Sequence, residues 1–215
     1  MLKAAFTKGP GLRLLCLGAH SDDIEIGCGG TVLRLLEENQ AAEVCWAVLG
    51  ASGARTAEAQ KSARLFLANA RQKDVITKEF RDGYFPYLGA EIKDFFEELK
   101  RKFSPDLILT HYREDLHQDH RVVSELTWNT FRNHLILEYE IVKYDGDLGR
   151  PNFFVSLSGA LAARKIRNIL DCFQSQRNKA WFTEDTFLSI LRLRGVESNA
   201  PEKYAEGFYC RKLAY

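Results

Sequence analysis

Two short polar segments hold the residues of this chain that are best suited to bind a metal ion. The first, AHSDD, covers residues 19–23, and the second, DLHQDH, covers residues 115–120. Three of the five histidines lie in these segments, at His20, His117 and His120. Imidazole and carboxylate are the ligands that zinc prefers when the chain offers no cysteine pair. The two segments are therefore the first place to look for chemistry.

A catalytic zinc site usually takes three protein ligands and leaves a fourth position for water or substrate. His20 and Asp23 stand at i and i+3 around a tight turn, so both can face one ion. His117 and His120 repeat that spacing at the start of a predicted helix. We predict that His20, Asp23 and His120 bind one divalent cation. Zinc is the expected ion, although iron, cobalt or nickel suits the same ligand set.

The remaining polar residues of the two segments can do acid–base work. A carboxylate that binds the cation is held ionised, so the group that accepts a proton from the attacking water must be a separate one. Asp22 meets that need beside its neighbour Asp23. His117, oriented by the carboxylate of Asp115 or Asp119, is predicted to act as an imidazolium that stabilises the oxyanion of a tetrahedral intermediate.

The fold must bring the two segments together. Short apolar runs alternate with segments of helical period, which is typical of a three-layer α/β/α fold with a mostly parallel sheet. Each polar segment follows a predicted strand directly, and ligands of such sheets bind beyond the carboxyl ends of the strands. Strands are predicted over 12–17, 44–49, 75–80, 106–110, 138–144 and 153–157, and helices over 27–36, 56–70, 92–103, 120–134 and 162–173, with a further helix capped by Thr183.

Composition limits the class of protein. With 215 residues, of which 46% are hydrophobic, the chain can form one large core, so we expect a single domain over 1–215. Thirty basic against 29 acidic residues argue against a nucleic-acid partner. Apolar runs are only strand-sized and the five cysteines are scattered, so we expect no stable membrane insertion, reduced thiols and a cytoplasmic location. The sequence does not fix the oligomeric state, and a homo-oligomer stays an alternative.

Simpler interpretations exist for each motif alone. An Asp-Asp pair is often a solvated turn or a helix cap, and a single histidine after a strand is often a structural residue. The glycines of GCGG, residues 27–30, suggest a nucleotide-binding protein, although the segment is not GxGxxG. A non-catalytic metal-dependent sugar-binding protein is the other alternative. The pairing of both polar motifs, each at a strand end, favours a metal-dependent enzyme.

At these residues the chain resembles a known family. AHSDDIEIGCGGT together with EDLHQDHR is similar to the signature of the PIG-L/LmbE-like metal-dependent deacetylases, whose usual forms read AHPDD or AHADD and then HPDH. PNFFVSLS, SQ and YAEGF extend the likeness along most of the chain. The resemblance implies a Rossmann-like fold and zinc-dependent removal of an N-acetyl group from an N-acetylglucosamine-type sugar or glycoconjugate.

The resemblance also implies residue roles. It makes His20, Asp23 and His120 the zinc ligands, Asp22 the general base and His117 the oxyanion stabiliser, which agrees with the interpretation above. Positions near the sugar site in similar proteins correspond to Arg55, Glu58 and Asp82, although a surface ion pair between Arg55 and Glu58 is an alternative. Some relatives carry an arginine that contacts the catalytic aspartate; Lys143 is a weak counterpart, with an exposed strand residue as the simpler interpretation.

Overall fold

The structure, a computed structural model, describes residues 11–213. It contains seven strands among these residues: β1 Arg13–His20, β2 Glu43–Gly50, β3 Gln72–Thr77, β4 Leu107–His111, β5 Leu135–Tyr139, β6 Phe153–Leu157 and β7 Tyr204–Cys210. Six α-helices connect them: α1 Asp23–Glu38, α2 Ala54–Phe66, α3 Gly89–Lys102, α4 Gln118–Thr130, α5 Gly159–Cys172 and α6 Glu184–Glu197. Short 3-10 turns lie at Phe85–Tyr87 and Gln174–Gln176.

The strands form one sheet in the order β3-β2-β1-β4-β5-β7-β6. The first five are parallel, whereas β7 pairs antiparallel with both β5 and β6. Helices α1, α2, α5 and α6 share an apolar core with one face of the sheet, and α3 and α4 share a second core with the other face. The predicted three-layer α/β/α fold with a mostly parallel sheet is confirmed. In the described residues, every helix is too short or too polar to span a membrane.

The centre of the sheet is buried on both faces. Along β1, Leu14 and Cys16 belong to the core beneath α1, while Leu15 and Leu17 belong to the core beneath α3. Successive side chains of a strand point to opposite faces, so a strand covered on both sides reads as a continuous apolar run. This is why LLCL was recognisable as a strand from the sequence.

The same topology sets the position of the two polar segments. Strand β1 pairs with β2 on one side and with β4 on the other. The chain therefore leaves the carboxyl ends of β1 and β4 in adjacent positions, where the order of the strands reverses. Such a reversal opens a crevice at the carboxyl edge of a parallel sheet. AHSDD follows β1 and DLHQDH follows β4 at this crevice.

The glycines of GCGG lie inside α1 and do not form a loop at its start. Each gives room to a neighbour: a Cβ on Gly27 would lie 2.1 Å from Tyr139 Cδ2, and one on Gly29 would lie 2.5 Å from Phe66 Cε1. All four residues of the motif are buried. Phosphate binds at the exposed N–H groups of a helix N-terminus. The structure therefore removes the geometric basis for a nucleotide site at this motif.

Replacing Gly27 by Ala is expected to lower the free energy of unfolding by about 1–3 kcal/mol, because the added methyl group overpacks the core against Tyr139. Denaturant unfolding measures the change. Gly89→Ala is the matched control, since Gly89 begins α3 and a Cβ there meets no atom within 4 Å. A Gly27→Ala protein as stable as the Gly89→Ala protein would contradict the packing argument.

Two predicted elements at the centre of the chain were misplaced. The helix predicted over 120–134 is α4, which ends at Thr130, and the strand predicted over 138–144 is β5, which ends at Tyr139. Leu135 pairs with Leu107 of β4, so the apolar run LIL enters the sheet. After Tyr139 the chain leaves the sheet. Strand β7 was not predicted at all, although it lies between β5 and β6.

Candidate metal centre and active site

The structure brings His20, Asp23 and His120 into contact at the crevice. His20 Nδ1 lies 3.1 Å from His120 Nε2 and 3.4 Å from Asp23 Oδ2. The third side of the triangle, between His120 Nε2 and Asp23 Oδ2, is 3.5 Å. All three residues are buried. Position 20 ends β1, position 23 begins α1 and position 120 lies in the first turn of α4, so rigid elements hold all three.

These three atoms fit one tetrahedral cation. Zinc bonds to imidazole nitrogen and carboxylate oxygen of about 2.0–2.2 Å place neighbouring ligand atoms of a tetrahedron about 3.4 Å apart. The observed separations of 3.1, 3.4 and 3.5 Å match that spacing. The charges agree as well, because the surrounding carboxylates are Asp22, Asp23, Asp82, Asp115 and Asp119. The donor set and its acidic surroundings therefore favour a divalent cation.

Carboxylates hold the far side of both imidazoles. Asp115 Oδ2 lies 2.9 Å from His120 Nδ1, and Asp119 Oδ2 lies 3.2 Å from His20 Nε2. A hydrogen bond of this kind fixes the tautomer and orients the ring of a metal ligand. Each imidazole thereby presents its other nitrogen to the centre of the triangle. Asp119 is itself fixed, since it accepts hydrogen bonds from the backbone N–H groups of Gly83 and Phe85.

The prediction that Asp115 or Asp119 orients the ring of His117 was wrong in this detail. The His117 backbone N–H donates to Asp115 Oδ1 at 2.8 Å, and the Asp119 backbone N–H donates to His117 Nδ1 at 3.2 Å. The ring is therefore held by the backbone of α4. Asp115 lies two residues before His117 and Asp119 two residues after it. This spacing did not reveal that the carboxylate of Asp115 faces His120 and that of Asp119 faces His20.

The ring of His117 lies beside the rings of His20 and His120. Its ring stacks on His120 with centroids 4.6 Å apart and meets His20 edge-on at 4.8 Å. Because Nδ1 accepts a hydrogen bond, the proton of the neutral ring is on Nε2. Burial and the charge of His20 lower the pKa of His117 below its usual value. Burial and the charge of His20 thus both disfavour the protonated ring on which the predicted imidazolium role of His117 depends.

Asp22 is a buried carboxylate with an altered proton affinity. It occupies the N-cap position of α1, yet its side chain makes no capping hydrogen bond. Burial and the charge of Asp23 raise its pKa to about 6, against the opposing charges of Arg55, His20 and Lys179. The helix-cap interpretation of the Asp-Asp pair therefore fails for this residue. Its carboxylate is left to exchange a proton near neutral pH.

His111, the last residue of β4, also lies at this site. Its Nε2 accepts a hydrogen bond from the Ala19 backbone N–H at 2.9 Å and lies 3.2 Å from Asp23 Oδ2. The ring stacks on His120 with centroids 4.0 Å apart. The backbone contact with Ala19 locks the end of β1 against the end of β4. Only the position of His111 directly after the strand predicted over 106–110 could have signalled this role.

The three residues assigned to the sugar site have different surroundings. Arg55 Nη1 donates to Asp82 Oδ2 at 2.8 Å, and Arg55 Nε donates to Ser21 Oγ at 3.2 Å. Asp82 is half-exposed and its Oδ1 lies 3.2 Å from His20 Nε2, so this pair borders the crevice. Glu58 instead accepts hydrogen bonds from the backbone N–H and the hydroxyl of Ser175. Its carboxylate thus anchors the turn at 174–176, and Arg55 pairs with Asp82.

Lys143 is neither an exposed strand residue nor a contact of Asp22 among the described ion pairs. It lies in the loop after β5, with Nζ 3.1 Å from Asp115 Oδ2 and in contact with Asp147. Besides His20, the cations whose charges lower the pKa of Asp22 are Arg55 and Lys179. Lys179 follows the turn that Glu58 anchors, and no sequence motif pointed to it.

Comparison with known proteins gives a family and several similar folds. Residues 15–131 match the family described as PIG-L, GlcNAc-PI de-N-acetylase. A similar solved structure is N,N'-diacetylchitobiose deacetylase from Pyrococcus horikoshii, with a TM-score of 0.69 and 20% identity, covering 92% of this chain and 83% of that one. A second is the zinc-inhibited form of teicoplanin deacetylase Orf2, with a TM-score of 0.73 and 15% identity, covering 92% and 97%.

The fold also occurs with another reaction. GalB, the 4-carboxy-2-hydroxymuconate hydratase from Pseudomonas putida, matches with a TM-score of 0.73 and 16% identity, covering 95% of this chain and 98% of that one. At such low identity these likenesses define the fold only. The match over 15–131 includes both polar motifs and more than half of the chain. The chain belongs to the PIG-L family, as its sequence motifs indicated.

Proposed function

We propose that this chain is a metal-dependent N-deacetylase that removes the acetyl group from an N-acetylglucosamine-type sugar or glycoconjugate. The observation that carries the proposal is the buried carboxylate of Asp22, which makes no capping bond beside three ligand atoms at tetrahedral spacing. A binding protein without catalysis has no need of an unused carboxylate at that position. Membership of the PIG-L family supports the choice of an N-acetyl amino sugar as the substrate class.

His20, Asp23 and His120 would hold the cation, and zinc fits the donor set. When bound, a divalent cation supplies Lewis-acid activation of water and of the amide carbonyl. Asp22 accepts the proton of the attacking water, for which its pKa of about 6 is suitable. The same carboxyl group then returns the proton to the departing amine. His117 donates its Nε2 proton in a hydrogen bond to the developing oxyanion.

The rim of the crevice would bind the sugar. Asp82 is half-exposed and offers carboxylate oxygens to sugar hydroxyl groups, while its ion pair with Arg55 holds it in place. Arg55 is the cation that the structure brings to the rim beside Ser21. We therefore assign substrate contact to Asp82 and Arg55. Glu58 acts at a distance, by holding the turn at 174–176.

Metal removal tests this proposal directly. Treatment of the purified protein with a chelator is expected to abolish release of acetate from N-acetylglucosamine conjugates, and one equivalent of Zn²⁺ or Co²⁺ is expected to restore it. His120→Ala should stay inactive after metal is added, since one of three ligands is lost. Acetate is measured enzymatically and metal content by atomic emission. Full deacetylation at negligible metal content would refute the proposal.

The substrate screen also separates alternatives. The sugars to compare are N-acetylglucosamine, N,N'-diacetylchitobiose and N-acetylglucosamine bearing an aglycone, each assayed for acetate and for the free amine. Equal yields of acetate and amine support amide hydrolysis. Binding of these sugars without release of acetate would instead indicate a sugar-binding protein.

A further inference from the structure

Lys143 lies at the centre of a buried network that includes a proposed metal ligand. Its side chain is 9% exposed, and Nζ lies 3.1 Å from Asp115 Oδ2 and 3.9 Å from Asp145 Oδ2, with Asp147 in direct contact. The side chain of Asp115 is 2% exposed and that of Asp147 is 7% exposed. Two nearly buried carboxylates therefore share one cation, contributed by the loop after β5.

Asp115 connects this cation to both histidines of the second motif. Its Oδ2 faces His120 Nδ1 at 2.9 Å, while its Oδ1 accepts the backbone N–H of His117 at 2.8 Å. The orientation of one carboxylate thus fixes the ring of His120 and the start of α4. Lys143 approaches the same oxygen that faces His120, so it restrains the rotation of the carboxylate about its own axis.

The loop after β5 makes a second contact with the segment that carries His117 and His120. Asp147 Oδ2 accepts the backbone N–H of Leu116 at 2.8 Å, between Asp115 and His117. Without a cation between them, Asp115 and Asp147 would be two nearly buried negative charges on facing segments, which is strongly unfavourable. Lys143 is therefore the residue that allows this loop to pack against the segment that carries His117 and His120.

We propose that Lys143 is a positioning residue for the metal centre, acting through Asp115 to set the orientation of the His120 ring. This inference rests on the proposed metal-dependent function. Lys143 touches neither a ligand nor Asp22 among the described contacts, and its effect is transmitted by the Asp115 carboxylate. Loss of a residue that hydrogen-bonds to a metal ligand typically weakens metal binding about 10–100-fold.

The test compares Lys143→Met and Lys143→Arg with the unaltered chain. Lys143→Met is expected to raise the Kd for Zn²⁺ about tenfold or more, measured by competition with a chromophoric chelator. The visible absorption of the Co²⁺-loaded protein should change in band position or intensity as the ring of His120 reorients. Lys143→Arg keeps a cation beside Asp115 and is expected to restore both the affinity and the spectrum.

Lys102→Met is the matched control, because Lys102 makes an exposed ion pair with Glu98 on the remote helix α3. It should change neither the Kd nor the Co²⁺ spectrum. If Lys143→Met does not fold, Lys143→Gln keeps a polar group in the loop and is expected to show the same weaker binding. Unchanged metal affinity and an unchanged Co²⁺ spectrum in a folded Lys143→Met or Lys143→Gln protein would overturn the inference.

Failure of this inference is distinguishable from failure of the proposed function. If the unaltered chain binds Zn²⁺, releases acetate and loses both properties on His120→Ala, the proposed function stands whatever Lys143 does. If the unaltered chain binds no divalent cation at the crevice, the inference and the proposed function are both refuted. A stability loss without a change in the Co²⁺ spectrum would show that Lys143 serves the fold alone, and would also overturn the inference.

Discussion

Asp22→Asn is expected to lower the rate of acetate release about 10²–10⁴-fold, the range of a lost general base, while the protein keeps its metal. Asparagine has nearly the shape of aspartate but cannot take a proton from water. The side chain of Asp22 makes no capping hydrogen bond, so the substitution should leave α1 intact. The loss should appear in kcat, because the proton transfer belongs to the chemical step.

The measurement pairs acetate release with metal analysis on the same sample. Asp94→Asn is the matched control, since Asp94 is an exposed residue of α3 and its change should leave the rate unaltered. Asp23→Asn provides the contrast, because loss of a ligand should reduce metal content together with activity. Near-normal turnover by metal-loaded Asp22→Asn would reject Asp22 as the base, although not the assignment of the ligands.

The triangle of proposed ligands follows from features that the sequence displays. The apolar runs of β1 and β4 are unmistakable because both faces of these central strands are buried, and the polar motifs follow them directly. Because β1 and β4 are neighbours, His20 at the end of β1 and His120 in the first turn of α4 both lie at the crevice. The i, i+3 spacing of His20 and Asp23 is likewise a local property, fixed by the turn that joins β1 to α1.

The contacts between the two aspartates and the histidine rings depend on the tertiary structure, and sequence spacing alone does not determine them. Asp115 and Asp119 both lie two residues from His117, so the sequence suggested that ring as their partner. Asp115 faces His120, and Lys143 contacts the same carboxylate from a loop beyond β5. The choice of His20 for Asp119 depends on the N–H groups of Gly83 and Phe85. Such contacts join segments that share no sequence motif, so they could not be predicted from the sequence.

The misplaced elements have a similar cause. Tyr139 and Ile141 alternate with glutamates at 138 and 140 and resemble a half-buried strand, yet the strand ends at Tyr139. Glu140 turns to the guanidinium of Arg194, with oxygen–nitrogen distances of 2.6 and 2.8 Å, and the chain continues as the loop that carries Lys143. An ion pair between distant segments here overrides a local alternation, as tertiary contacts often override β-propensity.

A second buried ion pair also joins segments that are distant in the sequence, and we expect its loss to lower the stability strongly. Lys165 of α5 and Glu206 of β7 are each about as buried as the apolar core, at 2% and 3% exposure. Lys165 Nζ donates to Glu206 Oε1 and to the carbonyl oxygen of Ile26, both at 2.6 Å. Glu206 in turn accepts the backbone N–H groups of Gly30 and Thr31 in α1.

This pair joins three elements at the middle of α1. The absence of a side chain at Gly30 matters, because a Cβ there would lie 2.9 Å from Glu206 Oε1 and 2.4 Å from Leu157 Cδ1. The final glycine of GCGG thus gives Glu206 access to the helix backbone. Because α1 begins with Asp23, the pair also supports the element that carries a proposed metal ligand.

Lys165→Met is expected to lower the free energy of unfolding by about 3–5 kcal/mol, because it leaves the Glu206 carboxylate buried without its cation. Glu206→Gln should have an effect of the same sign, since Gln offers one acceptor oxygen where two N–H groups and an ammonium need partners. Both are measured by urea unfolding of the metal-free protein, so that metal binding does not contribute.

The double variant Lys165→Met/Glu206→Gln separates the pair from its surroundings. We expect it to be more stable than the sum of the two single losses predicts, because the second change removes the unpaired charge left by the first. The exposed pair of Lys102 and Glu98 supplies the control, where Lys102→Met should leave the stability nearly unchanged. A Lys165→Met protein as stable as that control would mean that solvent reaches the Glu206 carboxylate, and that α1 does not depend on the pair.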